Sequence, residues 1–348
     1  MRILLVGHSL LSPWTGYTHR ALKRLGHSVR RVYCTSLLLD RLTLAGEKDL
    51  AVRESGSGKN LRALREGWHR WRDRRLIAAA RSFRPELILV LWGNTLSPEL
   101  LHSLKKKSGA RMATWWVDDP FRHRAEKLIP LYDFFFIFDR SYMPALQKQG
   151  ARNVRFLPCA CDEAVYHPKK LTPGQLRRYR SEVALVAWYC DTRLEIVNAL
   201  SRFDLRIWGR GWRRPEVLKT LNGNHRRILQ EERFVSDYEA ATIFAATQIG
   251  LNIHSGQSHQ AGLNARSFDL LAAGAFQLMD ALPGMEELLE PGREVAVYRT
   301  PQEAAERVQY YLKHPEERAA IAARGRTRTL AQHTYLHRMR SLLQAVQS

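Results

Sequence analysis

The chain is poor in the features that would commit it to several large protein classes. Cysteine is scarce: Cys34, Cys159, Cys161 and Cys190 are the only four in 348 residues, with neither paired metal-ligand spacing nor the density of a disulfide scaffold. Long apolar runs are missing too. The longest, LIPLYDFFFIF at 128–138, is interrupted by Pro130 and Asp133, whereas a membrane-spanning helix needs about 20 apolar residues. The first run ends at Gly7-His8 after four apolar residues, short of a signal-peptide core. No internal repeat or low-complexity tract occurs, and the polar ESGSGKN at 54–60 reads as one surface loop. These absences point to a reduced, cytoplasmic setting. Acidic residues are also in deficit, 34 against 55 Lys plus Arg, giving a formal charge of +21. Such a field attracts polyanions (nucleotide diphosphates, anionic lipid, acidic glycans, nucleic acid) without choosing among them.

What is present suits two α/β domains. Apolar residues make up 45% of the chain, enough for two cores of ordinary size. Residues 2–7 read as a buried strand, 18–27 as a helix ending at Gly26, and 28–33 as a second strand. That is the opening unit of a doubly wound sheet. Further strands are expected at 86–92, 111–117, 134–138 and 153–157. Turn formers crowd 157–174, which marks the domain junction. A second alternation follows, with strands at 183–188, 204–208, about 233–235, 248–253, 276–279 and 295–298, and mostly helix from 302 onward. The predicted division is 1–165, 166–325 and a terminal helix at 326–348 that packs back towards the first domain. Two such halves present a cleft between the carboxyl-end loops of their sheets, where parallel sheets bind ligands.

The strongest chemical signal is NARSFDLLAAGAFQLMD at 264–280. It reads as a Gly-bearing loop, a helix from about 266, and a strand. Asn264 is placed to cap the helix, Arg266 to make bidentate contacts with a phosphate, and Asp269 to accept from ribose hydroxyls. The plainer alternative is a cap plus an (i, i+3) surface pair. In TWWVDDP, Asp118 and Asp119 leave the end of a strand, and one could take a proton from an acceptor hydroxyl. They could equally bind a metal, or cap a helix beginning near Phe121. Gly209 and Gly211 in GRGW could approach a phosphate or simply form a tight turn. The first loop, Gly7-His8-Ser9, faces the cleft, with His8 either a base or structural. The basic segment at 61–84 carries Leu61, Leu64, Trp68 and Trp71 on one helical face. That stripe would lie on an anionic membrane or, more simply, pack on the sheet with its arginines solvated.

The run from 248 to 338, together with TWWVDDPF at 114–121, residues 132–168 and DLRIWGRGW at 204–212, resembles the CgeB-like family of GT-B glycosyltransferases. These carry a group 1 type glycosyltransferase domain and are often labelled spore-maturation proteins. The resemblance implies a donor site around His254, Ser255, Gly256, Asn264, Arg266 and Asp269. It implies no cofactor and no metal, only a nucleoside-diphosphate sugar as co-substrate and a hydroxyl of a protein, lipid-linked glycan or polysaccharide as acceptor. Three positions depart from the family's pattern. Asp269 stands for the usual Glu, Ala261 for a further acid found in retaining relatives, and Ala187 lies where a glycine turn is usual, leaving Arg193 to meet the diphosphate. These departures also admit a catalytically degenerate chain with a structural, surface-layer or spore-assembly role. Nucleic acid is not an expected partner, because the basic residues are scattered and no binding module is recognisable.

Overall fold

A computed structural model describes residues 1–8, 13–35, 56–223 and 228–348. They form two compact units. One comprises Met1–Phe138, Tyr142–Leu157 and Met339–Ser348; the other comprises Asp139–Ser141 and Pro158–Arg338. Among the described residues, no helix is long and apolar enough to cross a membrane.

The first unit is built on a parallel sheet ordered β2-β1-β3-β4-β5-β6. Its strands are β1 (Arg2–Gly7), β2 (Ser28–Tyr33), β3 (Leu87–Leu91), β4 (Arg111–Trp116), β5 (Phe134–Ile137) and β6 (Val154–Phe156). The central strands are apolar on both faces because helices cover both. All of β3 is buried. Trp115 and Trp116, which point to opposite faces, are both in the core. The helix Pro98–Ser108 shows how the sequence sets its limits: Ser97 accepts from Leu100 N at 3.2 Å, Pro98 opens it, and Gly109 closes it in the left-handed region. The carboxyl-terminal residues of this unit are anchored by Arg111, which donates to the Val346 carbonyl, and by buried Leu342 and Val346.

Two expectations for this unit need correcting. Residues 56–60 are not a loop but the start of the helix Gly56–Phe83. That helix buries Arg72, Leu76 and Ala80, one face at four-residue spacing, while Trp71 stays 52% exposed under Arg75. So one arginine of the basic segment is inside, donating from Nη1 to Thr95 O at 2.8 Å and pairing with Asp73. The side chains of Leu61 and Leu64 lie outside the described residues.

The second unit holds a parallel sheet ordered β12-β11-β10-β7-β8-β9. Its strands are β7 (Ser181–Val186), β8 (Leu205–Trp208), β9 (Leu229–Glu231), β10 (Thr247–Asn252), β11 (Gln277–Asp280) and β12 (Ala296–Tyr298). The strand expected at 233–235 is displaced to 229–231. There Leu229 pairs with Ile207 inside the core, whereas Phe234 is exposed and Ser236 already caps the next helix. Each sheet has one switch point, where consecutive connections leave in opposite directions. In the first it lies between β1 and β3, and in the second between β7 and β10. Loops at the carboxyl ends of those strands are where open parallel sheets hold ligands.

Candidate functional site

In the second unit the switch-point loops are tied together by side chains. Asn264 caps the helix Ala265–Ala272, its Oδ1 accepting from Ser267 N at 3.0 Å. The same amide pairs with Asn252 at the end of β10, Nδ2 to Oδ1 in both directions at 3.0 and 3.2 Å. Ser267 Oγ accepts from Asn252 Nδ2 at 3.0 Å and meets His254 Nε2 at 3.2 Å. On its other side the buried His254 ring donates from Nδ1 to Asp280 Oδ1 at 2.8 Å. The loop after β10 is thereby fastened to both the helix start and the end of β11. Burial alone would raise the Asp280 carboxyl, but the His254 contacts outweigh it and hold it below the usual range.

Beyond His254 the backbone turns at Ser255–Ser258, closed by Ser258 N to Ser255 O at 3.1 Å, with Gly256 exposed. The N–H groups of Ser255 and Gly256 have no partner among the described residues. The rest of the loop is held from beneath by Asp139, whose Oδ2 accepts from His259 N at 2.6 Å and Gln260 N at 3.0 Å. Asp139 is wholly buried, and a Cβ on Gly262 would lie 2.0 Å from its Oδ2. Ala261 is buried in the left-handed region at φ 55°, with its N–H on Pro283 O at 2.7 Å.

Arg266 stands on the first turn of the helix. Its Nη1 donates to Tyr166 Oη at 3.1 Å and Asp269 Oδ2 at 3.3 Å, and its guanidinium lies over Phe244 at 5.1 Å. Nε and Nη2 have no partner among the described residues. Burial works against the cation, but the neighbouring Tyr166, Asp269 and Asp237 more than offset it. Burial likewise pushes the Asp269 carboxyl well above the usual range, with Arg266 pulling the other way. The pair is therefore more than an (i, i+3) surface contact: Asp269 is buried, and Arg266 is only 24% exposed.

Arg193 is positioned differently from the phosphate contact expected of it. Its Nε and Nη2 donate to Ile253 O at 3.0 and 2.9 Å, and its Nη1 to Trp188 O at 2.5 Å. It clamps the loop after β7 to the loop after β10. Gly209 and Gly211 serve the same packing. A Cβ on Gly209 (φ 150°) would sit 2.1 Å from Ala187 O, and one on Gly211 (φ 90°) would press on Tyr189 at 3.0 Å.

In the first unit, Gly7, His8 and Thr15 form one corner: a Cβ on Gly7 would collide with Thr15, whose hydroxyl donates to His8 O at 3.1 Å. Ser9 lies outside the described residues. Asp119 Oδ1 accepts from Phe121 N and Arg122 N at 2.9 and 3.2 Å, capping a turn at 120–124 where the plainer alternative had placed a helix. Asp118 instead meets a side chain absent from the sequence reading, with its Oδ2 2.9 Å from His123 Nε2. Asp139, Asp280 and His123 were all missed. The first two share a legible signal with Asp118: an acid closing an apolar strand, FFFIFD and FQLMD beside WWVDD.

Comparison with known proteins fits this division of labour. Residues 193–344 match the family model described as glycosyl transferase-like. The spore protein CgeB of Bacillus subtilis (strain 168) is 24% identical over 265 residues, 73% of this chain and 80% of that protein. The chain is similar to CgeB, and its carboxyl-terminal half matches a glycosyl transferase-like model. It also matches solved structures along its length. One is Anabaena HepE in complex with UDP and glucose, with TM-score 0.68 and 11% identity, covering 100% of this chain and 99% of that one. Another is a glycosyltransferase from Rickettsia africae ESF-5, with TM-score 0.65 and 12% identity, covering 99% and 97%. The fold is GT-B. Asn264, Arg266, Asp269 and His254 all fall inside the matched residues 193–344.

Proposed function

We propose that the chain transfers a glycosyl group from a nucleoside-diphosphate sugar to an acceptor hydroxyl, with the donor's diphosphate at the start of helix Ala265–Ala272. The observation carrying this reading is Arg266: a cation held on the first helical turn with Nε and Nη2 free of partners among the described residues. The helix dipole and the unpaired N–H groups of Ser255 and Gly256 add donors of the same sign. Charge growing on the leaving diphosphate is met by these groups, the kind of stabilisation that usually dominates catalysis. Asp269 accepts from the ribose. Because fixed donors supply the neutralisation, the reaction is proposed to run without a metal. UDP is the nucleotide to try first, since HepE was solved with UDP, with UDP and glucose, and with UDP-glucose.

Calorimetric titration with UDP and UDP-glucose tests the proposal, followed by donor turnover with and without EDTA. Saturable binding with EDTA-resistant turnover is expected. Absence of binding by UDP and by other nucleoside diphosphates would remove the donor site and leave a structural role. Loss of turnover in EDTA would overturn the metal-free part alone.

A further inference from the structure

The second sheet carries a cavity at the end opposite its ligand-holding loops. The amino-terminal ends of β7 and β8 frame a space of about 340 Å³, lined by Arg177, Arg180, Ser181, Glu182, Asp204 and Arg206 among others. β7 runs six residues from there to the loop holding Trp188. About 17 Å of strand therefore separates the cavity from the carboxyl-end loops.

The helix Pro173–Tyr179 sets the arginines in place. Thr172 and Gln175 cap its start reciprocally, and Tyr179 is buried at its end with its hydroxyl on Glu239 Oε1 at 2.9 Å. Arg178 pairs with Glu231, and Arg206 with Asp204, Nε to Oδ1 at 3.3 Å. Arg206 Nη1 also donates to Arg178 O at 3.3 Å. Arg177 and Arg180 have no partner among the described residues. Glu182 Oε2 accepts from Asp204 N at 2.7 Å, and no partner for its Oε1 is found among the described residues. Against three guanidinium groups stand two carboxylates, one already bound to Arg206. The cavity thus keeps an excess of positive charge beside an open acceptor.

We infer that this cavity binds a small phosphorylated sugar. Arg177 and Arg180 meet the phosphate with planar, charge-assisted forks, and bringing an anion between them relieves their mutual repulsion. Glu182 Oε1 accepts from a sugar hydroxyl. Free cations beside a fixed acceptor suit a ligand with one anionic end and one hydroxylated end, and inorganic phosphate satisfies only the first. The volume lies at the lower end of the range for small-molecule sites, which suits a single monosaccharide phosphate. This site is separate from the donor loops and does not depend on sugar transfer.

Calorimetric titration of the full chain with ribose 5-phosphate, inorganic phosphate and ribose tests the assignment. Ribose 5-phosphate should bind saturably at one site, phosphate about tenfold more weakly, and ribose not at all. Arg177→Gln and Arg180→Gln should melt with wild type, because both side chains are exposed. Each should lose about tenfold in affinity for ribose 5-phosphate, and the double variant about 100-fold, the weight of one charge-assisted hydrogen bond apiece. Saturating UDP should leave the titration unchanged. Absence of saturable ribose 5-phosphate binding, or full affinity in the folded double variant, would overturn the site. Displacement by UDP would also overturn it, by placing the ligand in the donor loops. Phosphate binding as tight as ribose 5-phosphate would overturn the sugar and the part given to Glu182.

Discussion

Asp280 and His254 meet twice: a single carboxylate oxygen, Oδ1, accepts the backbone N–H of His254 at 2.9 Å and its ring Nδ1–H at 2.8 Å. The contact joins the ends of β10 and β11 and sets the direction in which the chain leaves towards Ser255 and Gly256.

Replacing Asp280 should therefore act on stability and on nucleotide binding together. Asp280→Ala leaves two buried donors without an acceptor and is expected to cost about 2–4 kcal/mol, whereas Asp280→Asn keeps one acceptor and should cost about half that. The sign with pH follows from a carboxyl held below its ordinary range. The stabilisation is present above the unfolded value and is lost as pH falls through the lower folded value. Urea denaturation at pH 7 and pH 3 should show the variants' deficit shrinking in acid. A deficit equal at both values would mean that the charge contributes nothing.

Arg266 can be separated from its structural surroundings by conservative replacement. Arg266→Ala would leave Asp269 buried beside Tyr166 without its cation, so lost activity could reflect lost folding. Arg266→Lys keeps a cation near Asp269 but removes the planar fork. Its melting temperature should stay within a few degrees of wild type. UDP affinity should drop by about tenfold or more, the weight of one charge-assisted hydrogen bond. Unchanged affinity by calorimetry would show that Arg266 serves the fold alone.

The sheets were legible because parallel strands buried on both faces write themselves as short apolar runs: β1, β3, β4, β7 and β10 each fall within a residue or two of expectation. The displaced β9 carries no such run, and its identity depends on which residues Ile207 and Trp208 accept as partners. In the site, Asn264, Arg266 and Asp269 announced themselves by spacing along one helix. Asp139, His123 and the clamp made by Arg193 did not, because each acts on residues distant in sequence or on backbone atoms. A periodicity argument is blind to a carboxylate that holds N–H groups 120 residues away. The buried Arg72 was missed for a related reason: helical spacing gives a face, not its direction.

Two glycines near the proposed diphosphate position should respond in opposite ways. Gly209→Ala would drive a methyl group to 2.1 Å from the Ala187 carbonyl in a backbone conformation that side chains rarely adopt. A loss of roughly 2 kcal/mol or more is expected. Gly256 has nothing within 4 Å of its virtual Cβ and no left-handed φ. Gly256→Ala should therefore leave the melting temperature unchanged while weakening UDP binding, if the exposed turn approaches phosphate closely. Equal affinity in Gly256→Ala and wild type would move the phosphate contact elsewhere along the helix start.

The last expectation concerns acid sensitivity and comes from the second unit's core. His333 is buried against Phe268, stacked at 4.8 Å, with Nε2 donating to Leu288 O at 2.9 Å and Nδ1 accepting from Arg338 Nη2 at 2.7 Å. Arg338 fixes the chain around it, donating to the carbonyls of Pro158, Cys159 and Gln332. Both ring nitrogens are thus committed to a neutral imidazole. Burial, seconded by the Arg338 charge, lowers its pKa to about 3 from 6.5. The unfolded chain takes up a proton that the folded chain refuses, so the contribution is complete above pH 6.5 and is lost as pH falls towards 3. At pH 5 the penalty is about 2 kcal/mol, at 1.36 kcal/mol per pH unit. His333→Gln can keep a donor and an acceptor but cannot titrate. Whatever its stability at pH 7, its unfolding free energy should fall less steeply between pH 7 and 5, by close to one proton. Identical slopes in wild type and variant would show that His333 is protonated in the folded chain and that the hydrogen-bond assignment is wrong.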